Sequence, residues 1–329
     1  MVEMLRGKLP APPPLSAHFL LARASVDLFL DVADIVRDGG DLLDALFLAA
    51  VIEANVAPVN QDPVLQQKYG ALDQPPPDEL RRPVSINAVA ASLGQPFETT
   101  RRRLNELARR GQCVIGPKGV VVPTARLMSE AYVRICVLRY ERVRRLYHEL
   151  KEAGGLADMA DDVATPPPGA GWPEPGAVPA SPPIRLVNRL LSEYYLRALE
   201  LLGRRAGDPI TGLILVGLGR MNLRHLTLEQ RAVNGFLPDS DRRPVRRSEL
   251  ARTLGLAPET VRRRLLSLEA RGYCRSGPKG VVFNIEAAAQ PEAQRLLHDN
   301  NVNLMRMMNR LNRYGVLAFW DAEALTEEA

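Results

Sequence analysis

The sequence predicts a mainly α-helical protein carrying two copies of one basic module: a short helix, a turn, a second helix and a β-hairpin. Three observations predict it. Pro258-Glu259-Thr260-Val261-Arg262-Arg263-Arg264-Leu265 follows Ser248-Glu249-Leu250-Ala251 and Leu254-Gly255-Leu256, and Gly277-Pro278-Lys279-Gly280 comes after it. The same passage occurs earlier without a gap, 161 residues back, the step from Arg262 to Arg101. Roughly half the positions over residues 81–122 are identical, which marks a duplication. Charge is segregated as well: residues 81–119 carry eight Lys/Arg against two Glu, and residues 242–280 eleven against three, so the rest of a chain of net charge +5 is acidic. Basic charge concentrated on two matched segments is the footprint of nucleic-acid contact.

Each module follows from its residues. Gly255 supplies the freedom a tight interhelical turn needs, and Pro258 suits a first helical turn, where its missing N–H is an orphan anyway. At 100° per residue Val261, Leu265 and Leu268 share one face, which puts Arg263 almost opposite and Arg262 on the flank. Gly111 and Gly272 end the basic helices, expected over residues 97–109 and 258–270. The period then becomes strand-like. Cys113-Val114-Ile115, the turn Gly116-Pro117-Lys118-Gly119, and Val120-Val121-Val122 read as a hairpin. Lys118 and Lys279 stand at its tips.

In chain order, a Pro-rich lead from Pro10 to Pro14 precedes two helices. One spans residues 25–36 and ends at Gly39-Gly40; the other is capped by Asp41 and runs to about Ala57. The second copy repeats these from Tyr194 to Leu202 and, after Asp208-Pro209, through Leu218. Gly217-Leu218-Gly219 lacks the third glycine of a dinucleotide loop and reads as close helix packing. Residues 60–79 read as a surface loop, six residues longer than in the second copy. Ser85 suits the N-cap of the first motif helix, expected over residues 88–93. A long amphipathic helix is expected over residues 124–151, with a counterpart over 294–313, the two packing on each other. Residues 154–183, rich in Pro, Gly and Ala, read as a flexible linker, which divides the chain into domains 1–153 and 184–329. Two copies suit halves that mimic a dimer in a pseudo-two-fold arrangement.

At 329 residues, 46% apolar and 25% charged, the composition is globular. No run approaches a membrane span, and Arg23, Asp27 and Asp31 break the Phe19-Leu20-Leu21 run, so a cytoplasmic location and no membrane partner are expected. Cys113 and Cys274 occupy equivalent positions opening a strand, and Cys136 lies on an apolar stripe; all three read as buried. The four histidines show no ligand spacing. No nucleophile elbow, phosphate loop or metal cluster occurs, so no enzyme, catalytic residue, metal or cofactor is expected.

The stretch from Ser248-Glu249-Leu250-Ala251 to Gly277-Pro278-Lys279-Gly280 resembles the winged helix-turn-helix of bacterial transcriptional regulators. Two leading helices and a long trailing helix resemble the MarR-type layout. The resemblance implies two tandem winged helix-turn-helix domains, double-stranded DNA as partner, and a small-molecule effector held between module and packing helices. MarR-like proteins are single-module chains that dimerise, whereas this chain fuses two modules and is expected to act as a monomeric pseudo-dimer reading an imperfect inverted repeat. Arg102 and Arg263 are the expected base readers, because a guanidinium meets guanine O6 and N7 bidentately. Thr99, Thr260, Arg101, Arg262, Arg103 and Arg264 are assigned to phosphates or flanking bases, and Lys118 and Lys279 to anchoring the wings. Arg246 and Arg247 add phosphate contacts in the second copy. Glu98 and Glu259 face the groove, either accepting from cytosine N4 or orienting neighbouring arginines. Two other classes fit the same sequence: a plasmid-type replication initiator and a winged-helix protein-interaction scaffold.

Overall fold

Ala17–Arg37 forms α1 and Leu42–Asn55 forms α2, whose N-cap Asp41 accepts a hydrogen bond from Asp44 N at 3.2 Å. The structure, a computed structural model, describes residues 17–156, 171–174, 176–227, 230, 237, 239–284, 286 and 290–327. The Pro-rich lead and residues 157–170 of the expected linker lie outside the described residues. Short helices α3 (Ala57–Asn60) and α4 (Pro63–Lys68) follow, then α5 (Ile86–Ser92), α6 (Phe97–Arg109), the hairpin β1 (Val114–Gly116) and β2 (Gly119–Val121), α7 (Thr124–Leu127) and α8 (Glu130–Glu152). The second half contains α9 (Ile184–Ala206), α10 (Pro209–Asn222), α11 (Arg247–Leu254), α12 (Pro258–Ala270), β3 (Cys274–Gly277), β4 (Gly280–Phe283), α13 (Pro291–Arg313) and α14 (Val316–Glu327). The protein is thus mainly helical with two small antiparallel two-stranded sheets. Among the described residues no helix is long and apolar enough to cross a membrane.

The two halves share one apolar core. Helix α1 packs on α8 of its own half and on α13 of the other; α9 packs on α13 and on α8 in the same crossed manner. The expected packing of the trailing helices on each other is therefore replaced by packing of each on both leading helices. Phe29 of α1 and Tyr195 of α9 stack at 4.5 Å between centroids. Helix α14, absent from the sequence reading, buries Trp320 completely, with its indole N–H donating to Tyr140 Oη at 2.7 Å.

Three expected elements differ in detail. The trailing helix of the first half is broken at Met128-Ser129, where Ser129 is extended and its hydroxyl donates back to Arg126 O at 2.8 Å. The expected surface loop carries α4 and clasps the second half: Gly70 O accepts from Arg185 N at 2.8 Å and Leu186 N at 3.2 Å, satisfying orphan donors at the start of α9. Of the linker, Trp172 packs on Tyr314 at 5.0 Å. Gly217 does serve close packing, since a Cβ there would lie 2.9 Å from Leu254 Cδ2.

Candidate nucleic-acid interface

The basic helices α6 and α12 bury Thr100, Leu104 and Leu107, and Val261, Leu265 and Leu268, respectively, so three or four residues per turn turn their remaining positions outward. Arg102 and Arg263 are exposed and make no hydrogen bond or ion pair with a described residue. Arg101 and Arg262 are also exposed, but each is bound to the glutamate three positions earlier. Arg101 Nη2 lies 2.8 Å from Glu98, and Arg262 donates to both Glu259 oxygens at 2.8 and 2.7 Å. These bonds raise the pKa of both arginines and hold Glu259 below the ordinary carboxylate range. Of the two roles expected for Glu98 and Glu259, the geometry displays the orienting one. Thr99 and Thr260 stand half-buried at the start of the same face.

Arg103 and Arg264 require a correction. Their side chains turn inward, Arg103 Nη1 reaching Asp41 at 3.0 Å and Asp44 at 2.6 Å, and Arg264 bonding Asp208. Asp41 and Asp208 are equivalent N-caps of α2 and α10. The third arginine of each run thus fastens a basic helix to the packing helix behind it, because a carboxylate at a helix start is already favoured by the dipole and gains a cation.

The hairpins are aligned by backbone pairing. Val114 faces Val121 and Cys274 faces Phe283, and a third segment joins each sheet through Val84 with Val120 and Val245 with Val281. Gly119 has φ 128° and Gly280 φ 137°; a Cβ would fall 2.5 Å from Val84 O and 2.6 Å from Val245 O, so only glycine fits. Lys118 and Lys279 sit exposed at the turns. Arg246 is exposed before α11, whereas Arg247 donates to Ser276 Oγ at 2.9 Å, tying α11 to the hairpin.

Sequence reasoning missed Asn55 and Asn222. Asn55 Nδ2 donates to Arg82 O at 2.8 Å and Val120 O at 3.1 Å, and its Oδ1 accepts from Val122 N at 2.9 Å. Asn222 repeats this with Arg243 O, Val281 O and Phe283 N at 2.7, 3.1 and 2.8 Å. A buried amide in each copy thus fixes the hairpin against the packing helix. The signal was a polar residue at matched positions in otherwise apolar runs, Ala54-Asn55-Val56 and Met221-Asn222-Leu223.

Burial pushes the Cys113 and Cys274 thiols up to about 11, and each lies 3.8 Å from a carbonyl oxygen of its basic helix. Among the described residues no group of His, Cys, Asp and Glu could hold a metal. In comparison with known proteins, no family model, no curated protein and no solved structure matches the chain.

Proposed function

We propose that the chain is a sequence-specific double-stranded-DNA-binding transcriptional regulator built of two winged helix-turn-helix modules in pseudo-two-fold arrangement. Helices α6 and α12 enter adjacent major grooves and the hairpins act as wings. The observation that carries this reading is the duplicated outward face. Arg102 and Arg263 keep guanidiniums that hydrogen-bond no described residue, the glutamate-bound Arg101 and Arg262 flank them, and Lys118 and Lys279 stand at the hairpin tips. A surface without a ligand does not require the same cation to bond no described residue in both copies while its neighbour is tied inward in both. Phosphate contacts position such a protein, and base edges supply specificity. One chain supplies both reading heads and works as a monomeric pseudo-dimer.

Selection of bound duplexes from a random library, followed by anisotropy titration at several salt concentrations, tests it. Enrichment of one imperfect inverted repeat is expected, with log K falling against log salt by about 0.9 per phosphate contacted. Absence of enrichment, together with a flat salt response, overturns the reading.

A further inference from the structure

Behind the first module, where α2 meets α8 and the start of α9, Arg81, Arg139, Arg185 and Arg189 line one cavity of about 40 Å³. Their exposures are 6%, 7%, 5% and 8%. Burial lowers Arg189 only to about 10, so it stays charged at neutral pH, as guanidiniums do.

Most of their partners are neutral. Arg185 donates to Leu72 O at 2.7 Å and Leu127 O at 3.1 Å, and Arg189 to Tyr69 O at 2.8 Å and Gln66 O at 2.7 Å. Arg139 donates to Asn188 O at 3.2 Å and Ser192 Oγ at 2.7 Å. Arg81 alone has a carboxylate in contact, Asp78 at 3.2 Å. Carbonyls satisfy N–H groups without cancelling net charge, and a buried charge without a counterion is costly. Three N–H groups, on Arg81 Nη1, Arg139 Nε and Arg189 Nε, are buried with no acceptor.

The cavity wall supplies at most a fraction of the missing negative charge at neutral pH. Its one acid, Glu53, forms no ion pair with any of the four arginines; it accepts from Asn60 at 2.7 Å, and burial together with Glu193 pushes it up to about 7. Burial also raises the Tyr132 phenol and the Cys136 thiol, so both are neutral.

At the duplicated positions of the second half three of these four cations are replaced. Ser25 corresponds to Ser192, and Asn300 donates to Ser25 Oγ at 2.8 Å where Arg139 donates to Ser192. By the same correspondence His18 and Ala22 stand for Arg185 and Arg189, and only Arg242 matches Arg81.

We propose that this cavity binds one small monovalent inorganic anion, chloride in size, which Arg81, Arg139 and Arg189 hold at the boundary between the halves. A volume of about 40 Å³ admits a single particle of that size. The site rests on the cavity alone and not on the DNA reading, so its test is made without DNA.

Thermal unfolding of the full chain is compared in sodium chloride and in sodium gluconate at equal ionic strength. A Tm higher in chloride is expected, rising roughly 2–4 °C per tenfold increase in chloride above Kd. The double variant Arg139→Asn, Arg189→Ala copies the second half and controls for general salt effects; its Tm should not distinguish the two salts. Crystals grown in bromide should show an anomalous peak inside the cavity. Equal wild-type Tm values in the two salts, or a cavity without bromide, would overturn the proposal. So would stabilisation by formate or acetate with none by halides, which would assign the site to a carboxylate ligand.

Discussion

Arg103 Nη1 lies 3.0 Å from Asp41 and 2.6 Å from Asp44, so one member of each arginine triplet is an internal strut and not a free hand. Arg102→Ala and Arg103→Ala therefore separate reading from holding. Arg103→Ala should cost about 1 kcal/mol or somewhat more in stability, as a partly buried pair with two carboxylates does, and leave base preference unchanged. Arg102→Ala should leave Tm unchanged, weaken DNA binding by about 1–3 kcal/mol and relax specificity at one position. Binding to a panel of single-base operator variants, alongside thermal unfolding, checks both. Uniform weakening by Arg102→Ala, with preference intact, would place that guanidinium on a phosphate.

The buried amides of Asn55 and Asn222 each satisfy three backbone groups of a hairpin edge. Asn55→Ala should destabilise the chain by about 2–3 kcal/mol, since it removes three bonds and leaves buried donors and acceptors without partners. Amide exchange should then quicken at Val122, whose N–H loses its acceptor. Unchanged protection there would mean that water replaces the side chain.

Glu53 sets a pH dependence. Its pKa is raised in the folded protein from 4.5 to about 7 by burial and by Glu193, against the opposing pull of Arg189 and Arg139 and the Asn60 hydrogen bond. A carboxyl that holds its proton more tightly when folded stabilises the fold most below its unfolded pKa. That contribution, roughly 3 kcal/mol, is lost as pH rises from about 4.5 to 7. Glu53→Gln should flatten this part of the stability curve, measured by urea unfolding across that range. A curve with the same slope in wild type and variant would remove Glu53 as its source.

Cys113 and Cys274 should react slowly with alkylating agents. With thiols raised to about 11, the thiolate fraction near pH 7.5 falls roughly a hundredfold below that of a free cysteine. Timed iodoacetamide labelling of the folded and the urea-unfolded chain, read by mass spectrometry, measures the ratio. Equal rates would show that the strand openings breathe readily.

The sequence by itself determined what is local or repeated. Periodicity placed Val261, Leu265 and Leu268 inward and Arg102 and Arg263 outward, because a helix has a fixed turn angle. Gly116-Pro117-Lys118-Gly119 between two strand-like runs determined a hairpin, because Pro suits the second turn position and Gly the left-handed one that closes it. Segregated charge picked out the two modules, since Lys and Arg are concentrated in residues 81–119 and 242–280 while the rest of the chain is acidic. The tertiary structure decided whatever depends on contacts between distant segments. The sequence assigned Arg103 to phosphates or flanking bases, and only the placement of Asp41 and Asp44, some sixty residues earlier in the chain, turned it inward. The loop at residues 60–79 looked like a surface excursion until α9 brought donors to Gly70 O. The crossed packing of α1 and α9 on both trailing helices could not be read from amphipathic stripes, because a stripe states that a face is buried and not against what. The arginine cluster was invisible for the same reason: Arg81, Arg139, Arg185 and Arg189 come from three separate segments, and only folding presses their charges around one cavity.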